Sequence, residues 1–440
     1  MTAAAWLTVI LASGPDLPLC GRPAADWLLD TAAELGPVAV AASGCGADQV
    51  RDLAVARPEL AAALAAAAPE PDDGQKAAIT VVLSCRYPLL QAAVLRQALR
   101  TLSGQPEPGA VLIRARAAAP WWSAEAGPAG VAAVALSGLP GGCPDWLTRL
   151  EQADPCALRG RLADLGVSVT VTDADPVQSL RADDPVQRQR AEAALYERIA
   201  AGWQHRGVII EDPSTTRIDA TVRIGPGTRI RPQTELAGRT VIGAGSSIGP
   251  VTAITDSTAG DGCRITYAVC TDVTIGEGAL IGPFCWLRSG SRLGARTRAG
   301  SFVEVADSVV GDDTQIPHLG GVLSADVGKG CNIAWLSGPA NFNGREKNRV
   351  VIGDHAYIGA GNIMVAPLTV GDGAYTAAGS ILTEDVPSGA LAIGRARQVN
   401  VDGWVARKMP GSAPAEAAAR HAATTGGSAG TRESRMSRSA

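Results

Sequence analysis

Residues 352–382 read IGDHAYIGAGNIMVAPLTVGDGAYTAAGSIL, and every sixth position holds an aliphatic residue or threonine in one unbroken phase. These positions are Ile352, Ile358, Met364, Val370, Thr376 and Leu382, and glycine follows three of them. A period of six matches neither the 3.6-residue period of a helix nor the two-residue alternation of a long strand. Six residues per side, with one aliphatic residue pointing inward, are typical of a three-sided parallel β-helix.

The same period begins near Ile218 and recurs in blocks that reach Ile333. A glycine-rich β-sandwich is the alternative, but such a fold does not hold one phase over residues 352–382. One insertion interrupts the period at residues 336–350, LSGPANFNGREKNRV. Because this segment is polar, glycine-rich and long, we expect it to form a loop that reaches a neighbouring subunit.

The sequence upstream of residue 210 has a different composition and a different hydrophobic pattern. Apolar runs at residues 6–11, 38–42, 79–83 and 131–136 alternate with stretches rich in Ala, Leu and Arg. This alternation favours an α/β domain built on a largely parallel sheet. Residues 184–207 predict a long helix that leads out of that domain.

Composition and charge exclude several classes of protein. The 440 residues are 46% hydrophobic and 19% charged, with a formal net charge of −4, so the chain can build ordinary cores and shows no basic excess for nucleic acid. The nine cysteines form no Cys-x-x-Cys pair and have no histidine at ligand spacing, which predicts reduced core thiols and no structural metal. The first residues carry no export signal, so we expect a cytoplasmic protein that does not enter a membrane.

The region from about residue 275 to residue 404 resembles a known family. Its motifs include IGPFCWLRSGSRLG, GSFVEV, ANFNGREKNRVVIGD and VAPLTVGDGAYTAAGSILTEDVPSGALAIGRARQ. They resemble the acetyltransferase half of the bifunctional N-acetylglucosamine-1-phosphate uridyltransferase/glucosamine-1-phosphate N-acetyltransferase family. The opening TVILASG, followed by GRP, is similar to the start of that family's nucleotidyltransferase domain.

The resemblance implies a fold, a cosubstrate and an assembly. It implies a nucleotidyltransferase-like (Rossmann-like) α/β domain at residues 1–183 and a linker helix at residues 184–210. A left-handed parallel β-helix follows at residues 211–404, and we expect a disordered tail at residues 405–440. Acetyl-CoA is the expected cosubstrate, and a homotrimer is the expected assembly.

The resemblance also implies catalytic residues. His318, in QIPHLG, matches the family's catalytic histidine, and an imidazole whose pKa lies near neutrality suits the removal of a proton from an attacking amine. Glu304, in FVEV, matches a glutamate near the acceptor that can orient the imidazole or receive the ammonium group. The alternative for Glu304 is an ordinary solvated turn carboxylate.

On the acceptor side the resemblance is incomplete. Arg288 matches an arginine that contacts sugar phosphate, and Asn332 is retained. Ala306 stands where the family has a lysine, and Gly321 stands where it has a tyrosine. The loss of a phosphate-binding lysine and a sugar-contacting tyrosine predicts an acceptor other than glucosamine 1-phosphate.

The residues expected to contact the cofactor are carried over in part. Ala334 and Trp335 replace a Gly-Ala step at the thioester end, Phe342 replaces a tyrosine, and Ala360 replaces a serine. The full set implied by the resemblance is Ala334, Trp335, Asn341, Phe342, Lys347, Ala360, Ala378 and Arg395.

The N-terminal half lacks the family's nucleotidyl-transfer motifs. Residues 12–17, ASGPDL, replace the glycine-rich loop that wraps a nucleoside triphosphate. Residues 59–62, ELAA, stand in place of the base-recognition motif, and Arg86 stands where an aspartate holds magnesium. The partner asparagine of that metal site falls near Asp183. We therefore expect no nucleotidyl transfer and no need for Mg²⁺.

Together these features predict an acetyl-CoA-dependent N-acetyltransferase. Its acceptor is expected to be a small amine that carries one anionic group, such as an amino sugar, an amino acid or a hydrazino acid. Two alternatives stay open at this point. One is the full bifunctional activity of the family, and the other is a catalytically silent binding or scaffold protein.

Overall fold

The structure is a computed structural model. It describes residues 184–425 without a break, and upstream of them residues 7–12, 18–20, 22–23, 27–28, 38–42, 79–84, 87, 89–103, 108–115, 130–137, 154–174 and 177–182. The chain divides into two compact units, Met1–Ile393 and Gly394–Ala440.

The N-terminal domain is built on a six-stranded sheet with helices on its faces. The described strands of the domain are β1 (Leu7–Ala12), β2 (Pro18–Leu19), β3 (Arg22–Pro23), β4 (Val38–Ala42), β5 (Ile79–Ser84), β6 (Gly109–Ala115), β7 (Gly130–Ser137) and β8 (Ser168–Asp173). Strands β2 and β3 pair with each other in a separate two-stranded antiparallel sheet. Two helices, α1 (Ala92–Ser103) and α2 (Pro155–Asp164), belong to the same domain. The sheet order is β4-β1-β5-β7-β6-β8, and only β7 runs antiparallel to its neighbours.

The alternation of side chains along these strands separates two apolar cores. Val81 and Val111 pack toward α1, whereas Val82 and Leu112 pack toward α2. A strand buried on both faces needs apolar residues at consecutive positions, and this need explains the short apolar runs of the sequence. The predicted α/β domain with a largely parallel sheet is confirmed.

Helix α3 (Pro185–His205) joins this domain to the repeats, as the sequence predicts. Its N-terminus is capped by Asp184, whose Oδ1 accepts a hydrogen bond from the backbone N of Gln187 at 2.8 Å. Leu195 is buried among residues of the N-terminal domain. Trp203, near the other end of the helix, packs on the apolar core of the repeats.

Residues from Ile209 onward form a parallel β-helix with three faces. Face I holds β9 (Ile209–Ile210), β12 (Arg229–Ile230), β15 (Ser247–Ile248), β18 (Arg264–Ile265), β21 (Leu280–Ile281), the first parts of β24 (Arg298–Ala306) and β26 (Gln315–Leu323), β28 (Asn332–Ile333), β31 (Tyr357–Ile358), β34 (Tyr375–Thr376) and β36 (Leu391–Ala392). Face II holds β10 (Arg217–Ile218), β13 (Thr234–Ala237), β16 (Thr252–Thr255), β19 (Ala268–Thr271), β22 (Cys285–Leu287), the last parts of β24 and β26, β29 (Gly338–Ala340), β32 (Ile363–Val365) and β35 (Ile381–Leu382).

Face III is a nine-stranded parallel sheet. Its strands are β11 (Arg223–Ile224), β14 (Val241–Ile242), β17 (Thr258–Ala259), β20 (Val273–Ile275), β23 (Ser291–Leu293), β25 (Val309–Val310), β27 (Ala325–Val327), β30 (Val350–Ile352) and β33 (Leu368–Val370). Every sixth residue points inward, so Ile352, Ile358, Met364, Val370 and Leu382 are all buried. The predicted fold class, an α/β domain followed by a left-handed parallel β-helix, is confirmed.

The aliphatic-glycine step of the repeat has a steric cause. A Cβ atom on Gly353 would lie 2.6 Å from the backbone N of Asp372 in the next coil. The carboxylate of Asp372 accepts a hydrogen bond from the backbone N of Asp354 at 2.7 Å. Glycine therefore lets two coils approach closely enough for an aspartate to cap the turn of the coil before it.

The predicted insertion at residues 336–350 is shorter in the structure. Residues 338–340 continue face II as β29, and only residues 341–349 leave the coil. They form a hairpin in which Phe342 pairs with Lys347. Asn343 Oδ1 accepts hydrogen bonds from the backbone N atoms of Arg345 and Glu346, at 2.9 and 3.0 Å. Arg349 anchors the hairpin through Asp326 at 2.7 Å and Asp307 at 3.2 Å.

The second unit differs from the disordered tail predicted from residue 405. It contains α4 (Trp404–Lys408) and α5 (Ala413–Thr425). Alanine favours helix, and Glu416 lies 3.8 Å from Arg420, one turn away. Residues 426–440, the last part of the predicted tail, lie outside the described residues.

The cysteines of the repeats are buried free thiols. Burial raises the pKa of Cys270 to about 12 and that of Cys285 to about 11. Cys156 is exposed, which contradicts the prediction of a core thiol at that position, because it lies on the solvent side of α2. Cys45, Cys85 and Cys143 lie outside the described residues.

The described residues show neither a membrane-spanning helix nor a cluster of metal-ligating side chains. Among the described residues, no helix combines the length and the apolar character that crossing a bilayer requires. The same residues contain no group of three or more His, Cys, Asp or Glu side chains placed to hold a metal ion.

Candidate functional site

Four of the predicted site residues form one column at the corner where face I turns into face II. His318 pairs with Ser301 in the coil before it. The backbone N of Leu336 donates to Leu319 O at 2.6 Å, which stacks Trp335 next to His318. Donation from Gly361 N to Trp335 O and from Gly379 N to Ala360 O, both at 2.8 Å, adds Ala360 and Ala378. Successive members of this corner column are therefore about 4.8 Å apart along the β-helix axis.

The residue that follows each member of the corner column has a left-handed backbone. Phe302, Leu319 and Leu336 have φ values of 59°, 42° and 58°, and Gly361 and Gly379 have values of 69° and 74°. The side chains of this second column differ before and after His318 along the β-helix axis. Before His318 it carries stacked rings, with the Phe284 and Phe302 centroids 5.0 Å apart, whereas beyond Leu336 it carries only glycine.

The corner beyond Trp335 is consequently a bare lane. Ala360, Gly361, Ala378 and Gly379 present no side chain larger than a methyl group. The lane is bordered on face I by Tyr357 and Tyr375, whose rings stack with centroids 5.2 Å apart. On face II it is bordered by the exposed side chains of Ile363 and Ile381. A thin, partly apolar chain such as the pantetheine arm of CoA fits such a lane.

His318 lies at the end of this lane with an exposed side chain. It stands at the bend of β26, outside the inward ladder, because Ile316 and Val322 occupy the buried positions on either side. Among the described residues, no hydrogen-bond partner of the imidazole is found. Both ring nitrogens are therefore open to a substrate.

The predicted contact between Glu304 and His318 is not formed. Glu304 Oε1 instead accepts a hydrogen bond from Arg288 Nη1 at 2.8 Å. The guanidinium of Arg288 also lies over the ring of Trp286, 4.5 Å from its centroid. These three side chains form a partly exposed cluster on face II, the Arg288 cluster, in which one carboxylate balances one guanidinium.

Gly321 lies between His318 and the Arg288 cluster. Gly321 pairs with Glu304 in the strand register and follows His318 by three residues, so the Cα atoms of His318 and Glu304 are at most about 11 Å apart. A Cβ atom at Gly321 would meet only Leu323, at an ordinary contact distance of 3.6 Å. The space above Gly321 is thus open to a small molecule that reaches both the imidazole and the Arg288 cluster.

The remaining predicted residues lie around this centre. Asn332 and Ala334 lie on face I in the coil after His318, with Asn332 paired to Gln315 and Tyr357. The Asn341 side chain donates to Leu323 O and Ser324 Oγ, which gives it a structural contact at the base of the hairpin.

Two predicted residues project from the hairpin and one belongs to the second unit. Phe342 is exposed, and Lys347 stands opposite it without an ion-pair partner among the described residues. Arg395 belongs to the unit Gly394–Ala440. The structure therefore brings His318, Trp335, Ala360 and Ala378 together, with Arg288 and Glu304 beside them.

One tryptophan and one aromatic pair escaped sequence reasoning. Trp286, under Arg288, and the Tyr357–Tyr375 stack occupy outward positions directly before an inward residue of the repeat. The outward position of these aromatic residues in the repeat was the available signal.

Several predictions for the N-terminal half cannot be placed. The replaced nucleotide loop, apart from Ala12, lies outside the described residues, as do residues 59–62, Arg86 and Asp183. The loss of nucleotidyl transfer stays a prediction.

Comparison with curated proteins confirms the family resemblance. The chain is 44% identical over 244 residues to the bifunctional protein GlmU of Mycolicibacterium gilvum (strain PYR-GCK), covering 56% of this chain and 49% of that protein. It is 43% identical over 233 residues to the bifunctional protein GlmU of Streptomyces coelicolor, covering 53% and 48%. The chain thus spans about half the length of the curated relatives it matches. No protein-family model matches it.

Solved structures give weaker similarities. LpxA from Acinetobacter baumannii matches with a TM-score of 0.29 and 22% identity, covering 49% of this chain and 83% of that chain. The acetyltransferase domain of PglB from Neisseria gonorrhoeae, solved in complex with acetyl coenzyme A, matches with a TM-score of 0.17 and 16% identity, covering 52% and 68%.

Proposed function

We propose that this chain is an acetyl-CoA-dependent N-acetyltransferase in which His318 is the general base. One observation carries the proposal: an exposed imidazole without a partner among the described residues stands between the bare lane and the Arg288 cluster. The lane suits the pantetheine arm, and the cluster suits a polar acceptor. The identity of 44% to bifunctional GlmU proteins supports acetyl transfer as the chemistry.

The proposed reaction needs a base in its first step and an acid in its second step. A neutral amine attacks the carbonyl carbon of the thioester while His318 takes the proton that the nitrogen loses. The tetrahedral intermediate then collapses, the C–S bond breaks, and the imidazolium returns the proton to the CoA sulfur. The products are the N-acetyl amide and free CoA, and His318 ends neutral.

The acceptor is proposed to be a small amine with one anionic group. Arg288 uses one nitrogen for Glu304, and the rest of its guanidinium is free to bind a carboxylate or phosphate through a charged hydrogen bond. Glu304 has a second oxygen that can receive the ammonium form of the amine. Ala306 and Gly321 supply no further polar group, so glucosamine 1-phosphate would lose contacts on this surface.

The rest of the architecture follows the same proposal. The domain boundaries at residues 183, 210 and 404, the homotrimer and the loss of nucleotidyl transfer stay predictions. Acetyl-CoA is the proposed cosubstrate, with Phe342 and Lys347 as candidate contacts for its nucleotide end, and no step of acetyl transfer requires Mg²⁺. The contact of Arg395 with the cofactor stays a prediction.

Thiol release from acetyl-CoA tests the proposal. The full chain is assayed against glucosamine 1-phosphate, other amino sugars, amino acids and hydrazino acids, beside His318→Ala. Loss of a general base lowers kcat by about 10²- to 10⁴-fold, whereas CoA affinity measured by calorimetry should stay the same. His355→Asn is the matched control because His355 is an exposed turn residue at φ 56°, which asparagine tolerates.

Each outcome separates the alternatives. Turnover of a small anionic amine that disappears in His318→Ala and survives in His355→Asn supports the proposal. Equal activity of His318→Ala and the wild type removes His318 as the base. Formation of UDP-N-acetylglucosamine from UTP would instead establish the full bifunctional activity, and CoA binding without turnover of any amine would favour a binding protein.

A further inference from the structure

Trp335 holds a particular place in the corner column. It lies one coil beyond His318 and one coil before Ala360. Its side chain is 49% exposed, and the structure shows no ring contact or hydrogen bond of the indole with another described residue. A large, half-exposed indole without a partner in the described part of the chain is free to contact a ligand.

The approach of an acyl-CoA to His318 has one open direction along the corner. On the side before His318, the stacked rings of Phe284 and Phe302 project from the corner. On the other side Ala360, Gly361, Ala378 and Gly379 leave the backbone bare. A thioester held by the bare lane therefore passes the level of Trp335 before its carbonyl reaches His318.

The backbone of Trp335 is fixed at this level. Its carbonyl oxygen accepts hydrogen bonds from Gly361 N at 2.8 Å and from Ser337 Oγ at 3.4 Å. Leu336, the next residue, is held at φ 58° and donates to Leu319 O at 2.6 Å. The indole can change rotamer, but it cannot leave the coil.

From this arrangement we infer that Trp335 limits the length of the acyl group that the enzyme accepts. The inference rests on the proposed function. The indole fills the corner beside the thioester, where each carbon beyond acetyl would need space. With alanine at this position the column would read His, Ala, Ala, Ala from His318 to Ala378, and the lane would continue unobstructed to the imidazole.

The test compares acyl groups in the full chain. Acetyl-, propionyl-, butyryl- and hexanoyl-CoA are assayed with wild type, Trp335→Ala and Trp335→Phe. One methylene in an apolar pocket typically changes kcat/KM by about 10- to 200-fold. The butyryl-to-acetyl ratio of kcat/KM should therefore rise at least about tenfold in Trp335→Ala and less in Trp335→Phe.

The control is Phe284→Ala, which removes another exposed aromatic ring from the same corner, on the far side of His318. It should leave the chain-length ratio unchanged. An unchanged ratio in Trp335→Ala, with acetyl transfer intact, would overturn the inference. An equal loss of affinity for all four thioesters would also overturn it, because Trp335 would then contact the pantetheine arm without discriminating between acyl groups.

A binding measurement separates this inference from the proposed function. Calorimetry gives the affinities of acetyl-CoA and hexanoyl-CoA without any acceptor. Wild type should bind hexanoyl-CoA at least about tenfold more weakly than acetyl-CoA, and Trp335→Ala should remove that difference even if no amine is turned over. Equal affinities in wild type would contradict the inference and leave the proposed function to the thiol-release assay.

Discussion

At the scale of single residues, the geometry of the Arg288 cluster is the basis for proposing an anionic acceptor. Arg288 is held from two directions, by Glu304 at 2.8 Å and by the ring of Trp286 at 4.5 Å. Its side chain nevertheless stays 44% exposed. A guanidinium that is oriented before the ligand arrives loses little side-chain freedom on binding.

This orientation leads to a prediction for Arg288→Ala. The variant should raise KM for an anionic amine by about tenfold or more while leaving the affinity for CoA unchanged, because one charged hydrogen bond is lost at the acceptor. Steady-state kinetics with the acceptor varied, together with calorimetry of CoA, checks it. Arg264→Ala, which removes an outward arginine of face I, is the control, and an equal KM effect there would point to general electrostatics.

The roles of the site residues stay predictions, but the structure shows which contacts these residues make. His318 was singled out by the family resemblance, and the structure places it at a corner of the repeat. Its expected contact with Glu304 could not be judged, because Glu304 becomes a neighbour of Arg288 only when two coils stack. Contacts between coils depend on side-chain rotamers that a one-dimensional period does not contain.

At the scale of elements, the hairpin at residues 341–349 depends on its base. Arg349 spans Asp326 on face III and Asp307, and the Asn341 amide reaches Ser324. The Asp326 carboxylate raises the pKa of Arg349 further above its ordinary value, so the guanidinium is charged at any working pH. Within the described part of the chain, the exposed tip is held only by its own turn hydrogen bonds, at Asn343.

We expect Arg349→Ala to loosen the hairpin and leave the β-helix folded. Ion pairs this exposed contribute about 0–1 kcal/mol each, so the urea midpoint should change little. Trypsin cleavage after Arg345 and Lys347 should become faster, and KM for acetyl-CoA should rise if Lys347 contacts its phosphates. Cleavage at the wild-type rate in Arg349→Ala would show that the other base contacts suffice.

The length of this element was overestimated from the sequence. Residues 338–340, GPA, contain no aliphatic residue larger than alanine, yet they add β29 to face II by backbone hydrogen bonding next to Ile363 and Val365. A pattern search that relies on inward aliphatic residues misses such a strand. The helix at Ala413–Thr425 was missed for a related reason. An alanine-rich segment has a high helix propensity even when it lacks the apolar period of a core-facing helix.

At the scale of the whole molecule, the interior of the β-helix sets an alkaline limit on stability. Cys270 is fully buried, and its pKa is raised from 9.0 to about 12 by burial. The unfolded chain thus loses this proton at a lower pH than the native chain. The contribution to stability is complete below about pH 9 and is lost as the pH rises toward 12.

Cys270→Ala should therefore flatten the alkaline slope of stability. One group that is ionised only in the unfolded state contributes up to about 1.4 kcal/mol per pH unit between its two pKa values. Urea unfolding at several pH values from 8 to 11, for wild type and variant, measures the difference in slope. Cys156→Ala is the control because Cys156 is exposed, and identical slopes for wild type and Cys270→Ala would contradict the prediction.

Sequence reasoning was most successful at this largest scale. A repeat that keeps one phase through residues 352–382 leaves few ways to bury its aliphatic residues, and the three parallel sheets follow from it. The N-terminal domain was predicted only as a class, because short apolar runs do not specify strand order. The antiparallel direction of β7 between β5 and β6 illustrates this.

The corner column has a consequence for how such a protein diversifies. Each coil contributes one outward side chain to it, and the coils are held together by backbone hydrogen bonds and inward side chains, which do not involve that outward side chain. Each of the four residues, His318, Trp335, Ala360 and Ala378, can therefore be exchanged independently, while the β-helix behind them stays the same. A designer could change the surface of this corner one coil at a time.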